Sequence, residues 1–176
     1  MIRLAGVMFA CVLFTLSAQA ENKHVPLSFK AMDNVVYCSV GPVSISERLK
    51  LALREGTPVT FYWKLIVDRQ RSYWLNDNLA TIEFSRTVMP DLVTRSWVLS
   101  DSSSGISKRV MSLERAIDFL TGLRYFPMLD QSLLDAQEQY VVRVRLYSSE
   151  GEVDDRWWQE ALRFTKTQAV GRLTFE

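Results

Sequence analysis

Arg69-Gln70-Arg71-Ser72-Tyr73-Trp74 puts two guanidinium groups and two flat aromatic rings into one short segment. Guanidinium forks bond carboxylate or phosphate oxygens bidentately, and aromatic rings anchor an interface with rigid apolar area. The segment therefore suits an anionic protein surface or ligand. Arg143 and Arg145, alternating with apolar residues, extend that basic surface if their strand lies beside the loop. In a strand, Trp157 and Trp158 point to opposite faces, one toward the core and one toward a partner. The plainer reading of the arginines, a solvated edge that deters strand pairing, is the favoured one.

Other reactive residue types give less. The sole histidine, His24, lies close to the start of the chain, which argues against a histidine triad or a multi-histidine metal site. Asp154-Asp155 beside Trp157 superficially suggests a sugar cleft, but adjacent acids do not supply the opposed pair that glycoside hydrolysis needs. Asn76-Asp77-Asn78 lacks the glycine and bidentate Glu of a calcium loop and reads as an Asx-rich connection. No phosphate loop, zinc-type Cys pair or nucleophile elbow is present, and no cofactor or metal is expected. Cys38, within Val35-Val36-Tyr37-Cys38, reads as a small core residue rather than a reactive thiol.

The elements that must position these residues follow from the hydrophobic period. Ser44-Ile45-Ser46-Glu47 has capping-box spacing, and Ile45, Leu49, Ala52 and Leu53 follow at helical intervals up to Gly56, predicting a helix over 45–55. From Pro58 the period becomes two, with Val59, Phe61, Trp63, Leu65 and Val67 on one face of a strong strand. Ala80, Ile82, Phe84 and Val88 share a face in the next strand, which Arg86 interrupts near the expected strand end. Further strands are expected over 92–99 and 106–110, forming an antiparallel meander. Ser112 caps a second helix with Leu113, Ala116, Ile117 and Leu120 on its stripe. Tyr125-Phe126-Pro127 reads as irregular. Tyr140, Val142, Val144 and Leu146 give the next strand an apolar face opposite Arg143 and Arg145. The stretch 155–164 fits a short helix or a twisted edge strand. With strands over 27–32, 34–40 and 169–175, the count is about eight strands and two helices. The expected fold is mainly β, an antiparallel β-sandwich of Ig-like general architecture with two short helices. An open α+β antiparallel sheet is the alternative.

Residues 1–20 have the form of a secretory signal: Arg3, an apolar run from Leu4 to Leu16, then small residues at Ala18 and Ala20. Cleavage is expected before Glu21, giving an exported, periplasmic domain over 21–176, with an inner-membrane anchor through an uncleaved N-terminus as the alternative. Past the signal, 20 basic residues face 20 acidic ones, so net charge does not draw the domain to nucleic acid. Cys11 falls in the signal, leaving Cys38 without an intramolecular disulfide partner.

The arrangement resembles a bacterial envelope family known as domain of unknown function 4390. The resemblance rests on the capped helix before Gly56-Thr57-Pro58-Val59-Thr60-Phe61, on the Arg69-x-Arg71-x-x-Trp74-x-x-Asp77 segment, and on Met89-Pro90-Asp91-Leu92. Ser112-Leu113-Glu114-Arg115-Ala116 and Tyr140-Val141-Val142-Arg143-Val144-Arg145 complete it. It implies no activity. The family's genes often neighbour a membrane-bound sensor histidine kinase, which suggests a partner. The leading expectation is a non-enzymatic periplasmic accessory domain that binds an envelope protein, the extracytoplasmic part of a sensor kinase among them. Peripheral membrane association is compatible with this. The alternative is a glycan- or lipid-binding module using Trp74, Trp157 or Trp158 as a platform. An enzyme working through carboxylates alone is a third, less favoured class.

Overall fold

The computed structural model describes residues 25–72, 75–150 and 166–173, and the structural statements below concern these. At the first hairpin, Asp33 and Asn34 both take positive φ, 49° and 64°. That two-residue turn matches the twist of paired strands and joins β1 (Leu27–Met32) to β2 (Val35–Val40). The first helix, α1 (Glu47–Arg54), is capped by Ser46, whose hydroxyl accepts from the Leu49 amide. The expected cap was Ser44. Ile45 is instead buried before the helix begins, and the later serine takes the cap. Leu49 and Leu53 form the buried stripe, and Gly56 turns the chain at φ 93°.

β3 (Val59–Arg69) pairs with β4 (Asp77–Asp91), which pairs with β5 (Ser96–Asp101), which pairs with the short β6 (Ser107–Val110). β4 runs well past Arg86, so that residue lies inside the strand rather than near its end. The strand expected from Leu92 begins only at Ser96. Asp91 Oδ1 accepts from the amides of Val93 and Thr94, and Arg95 takes φ 49°, which makes 92–95 a turn.

The second helix, α2 (Leu113–Thr121), starts at Ser112 as expected, with the hydroxyl accepting from the Arg115 amide. β7 (Leu123–Asp130) then contains Tyr125, Phe126 and Pro127, the segment read as irregular. Proline is tolerated there because β7 is an edge strand, and the register shifts beside it. β8 (Tyr140–Glu150) and β9 (Lys166–Leu173) complete nine strands among the described residues, one more than the sequence suggested.

Two antiparallel sheets result, ordered β1-β2-β7 and β6-β5-β4-β3-β8-β9. One contiguous core lies between them, with Val36, Cys38 and Val40 of β2 and the Val59, Phe61, Trp63, Leu65 and Val67 face of β3 all buried. Phe84 stacks between Trp63 and Phe126, at centroid separations of 6.1 and 4.4 Å, tying the sheets together. The helices cover the part of the larger sheet that three strands cannot reach, and Trp63 Nε1 donates to the Leu120 carbonyl of α2 at 3.2 Å. At the opposite corner a Cβ on Gly171 would lie 2.6 Å from Leu27 Cδ2, so the bare backbone lets β1 settle against β9. The sheets meet there without hydrogen-bonded closure. The fold is mainly β, a sandwich-like pair of antiparallel sheets with two short helices.

Candidate binding surface

Period-two alternation sends Lys64, Ile66 and Asp68 of β3 and Arg143, Arg145 and Tyr147 of β8 to the face of the larger sheet away from the core. Lys64 lies in register between Glu83 of β4 and Arg145 of β8. Its ammonium donates to Glu83. One step along, Ile66 lies between Thr81 and Arg143. Arg143 reaches diagonally to the carboxylate of Asp68, which is only 3% exposed. Asn78 holds the other oxygen of that carboxylate at 3.1 Å, across a bulge between Val67 and Asp68, and Thr81 holds the amide of Asn78 from the far side.

Arg145 stands apart. It is half-buried and has no ion pair or hydrogen bond among the described residues; its Nε, like those of Arg69 and Arg143, is buried without an acceptor. Lys64 and Arg143 on either side are already matched by Glu83 and Asp68. Among the described outward cations of β3 and β8, the one left without an acid is therefore the Arg145 guanidinium. A partly desolvated guanidinium favours a planar anion that can take two of its N–H groups at once.

At the loop end of the β3–β4 hairpin, Arg69 Nη2 and Arg71 Nη2 both donate to Asp77 Oδ2, at 3.1 and 3.0 Å. Arg69 is opposite Asp77 in register, so these contacts close the hairpin. The basic loop and the β8 arginines do come to one end of the sheet, because β8 pairs with β3 along its whole length. Within that group Arg69, Arg71 and Arg143 are bound to acids of the chain itself, and Arg145 is not. Tyr73, Trp74, Trp157 and Trp158 lie outside the described residues, as do His24 and Asp154-Asp155.

The sequence reading missed a second polar constellation. Arg86, on the inner face of β4, pairs with Asp101 at 2.7 Å and donates Nη1 to the carbonyls of Phe119 and Gly122, at 3.0 and 2.7 Å. Its cation caps the negative end of α2 and lies 4.8 Å from the Phe119 ring centroid. Burial pushes the Asp101 carboxyl up, but hydrogen bonds from Ser103 and Arg86 outweigh it and hold the group below its ordinary value. The interruption of an apolar face was the only sequence signal. Cys38 is fully buried, and burial pushes its thiol up to about 12, out of the nucleophilic range.

Among the described residues no cluster of three His, Cys, Asp or Glu side chains is placed to hold a metal, and no helix is long and apolar enough to cross a membrane. The family described as "Domain of unknown function (DUF4390)" matches residues 24–153. No curated protein and no solved structure matches the chain.

Proposed function

Since the chain belongs to the DUF4390 family, whose description names no activity, we propose from its physical chemistry that it is a non-enzymatic accessory domain of the cell envelope. It binds another envelope protein through the outward face of β3 and β8. The observation that carries the reading is Arg145: a half-buried cation with no acid among the described residues, beside two cations that each have one. A carboxylate of a partner satisfies that guanidinium, and the neighbouring Tyr147 supplies flat area on the same face. The extracytoplasmic part of a membrane sensor kinase is the partner class in view.

The test is in-cell crosslinking of the tagged, exported chain, comparing wild type, Arg145→Glu and Arg69→Ala/Arg71→Ala at matched thermal midpoints. One envelope protein is expected with the wild type and with the double variant, and is expected to be lost with Arg145→Glu. Equal recovery by all three rejects the face. Recovery of nothing by any of them, together with a saturable tryptophan fluorescence change on adding cell-wall fragments, moves the assignment to the glycan- or lipid-binding alternative. That alternative depends on Trp74, Trp157 and Trp158, outside the described residues.

A further inference from the structure

Between the C-terminal end of α1 and the β4–β5 hairpin lies a cleft of about 200 Å³, walled by Leu53, Pro90, Leu92 and Trp97, with the exposed Arg54 and Arg95 at its rim. A Cβ on Gly56 would lie 2.9 Å from Leu92 Cδ1, so the glycine is what allows the hairpin to close down on the helix end. Trp97 carries a buried indole N–H with no acceptor among the described residues. The acid beside the cleft, Asp91, is fully engaged: Oδ1 by the amides of Val93 and Thr94, Oδ2 by Arg109 at 3.0 Å. Arg54 influences Glu47 and Glu114 at a distance, but neither Arg54 nor Arg95 has an ion-pair partner among the described residues. The cleft is therefore an apolar slot with a net positive rim.

We propose that this cleft receives an anchor residue of a partner protein: an apolar side chain followed directly by a carboxylate-bearing residue. Size decides against a cofactor or a lipid tail, because sites for such ligands run from roughly 300 Å³ upward, whereas a single anchoring side chain fills less. Charge complementarity decides for the carboxylate, which lies between Arg95 and Arg54. The inference stands on residues separate from the β3–β8 face and holds or fails independently of it.

The test follows the indole resonances of the ¹⁵N-labelled full chain while titrating the blocked peptide acetyl-Gly-Leu-Asp-Gly-amide. A saturable shift of the Trp97 indole is expected. Exchanging the peptide's Asp for Asn, or Arg95→Gln in the protein, is each expected to weaken binding about fivefold, the loss of one exposed charge-assisted contact. Arg95 is exposed, so that variant leaves the fold intact. Absence of a saturable shift overturns the proposal, as does equal affinity for the Asp and Asn peptides. A shift produced by dodecanoate but not by peptide overturns it in favour of a lipid site.

Discussion

Arg86 and Asp101 stand opposite each other in the β4–β5 pair, Nε 2.7 Å from Oδ2, and the same guanidinium holds the carbonyls of Phe119 and Gly122 where α2 ends. The pair is a bolt between sheet and helix, with side-chain exposures of only 13% and 11%. Removing one partner of a mostly buried pair leaves the other charge unsatisfied, so Arg86→Met is expected to cost about 3 kcal/mol in urea unfolding. A loss below about 1 kcal/mol would put the pair in the class of solvated surface bridges and sink this account.

Acid should act through the same carboxylate. The folded pKa of Asp101 is depressed, so its stabilisation is fully present above its unfolded value, near pH 4, and is lost as pH falls through the lower folded value. Half-buried Asp91 and exposed Asp130, Glu47 and Glu114 are shifted in the same direction. Unfolding free energy is therefore expected to be flat near neutrality and to fall below about pH 4. The fall should be shallower in Arg86→Met. Identical acid limbs for the two proteins would show that Arg86 does not hold Asp101 ionised.

Arg69 and Arg71 share one oxygen of Asp77, and the three side chains are partly solvated. Each arginine truncated alone is expected to cost about 0.5 kcal/mol or less, because its neighbour keeps the carboxylate engaged. Asp77→Ala, which releases both, should cost about 1 kcal/mol. A double-mutant cycle that finds Arg69→Ala and Arg71→Ala strictly additive contradicts the shared acceptor.

Cys38 offers a chemical check on the packing. With Cys11→Ser removing the only other thiol, Cys38 is expected to resist a disulfide reagent at pH 8 in the native protein and to react fully in denaturant. Rapid native-state labelling would mean that the two sheets part around β2 far more readily than their shared core implies.

The strands with clean alternation were legible in advance. Val59 through Val67 and Tyr140 through Leu146 each show period two, and both became the strands that carry the outward cations. β7 was not legible, because Pro127 signals a break and only its edge position makes it harmless. The start of α1 was misplaced by two residues, since Ser44 and Ser46 are equivalent as local signals and the burial of Ile45 chooses between them. The arginine loop could be read as a composition, but its shared acid could not, because the approach of Asp77 depends on hairpin register. The same holds for Arg145: nothing in Val144-Arg145-Leu146 says that its neighbour Lys64 comes already matched by Glu83.

The strand order also sets when this chain can fold. β3 finds β4 across a short hairpin, but its other edge waits for β8, and β2 waits for β7, both of which follow α2. Distant pairings of this kind carry a loop-closure cost before any reward, so the rate-limiting step should be the arrival of 123–150 against strands made much earlier. Until then β3 is a long strand rich in aromatic and β-branched residues with one open edge, the feature most apt to pair with another molecule. A chain truncated before Tyr140 is therefore expected to aggregate rather than to form a smaller stable sheet.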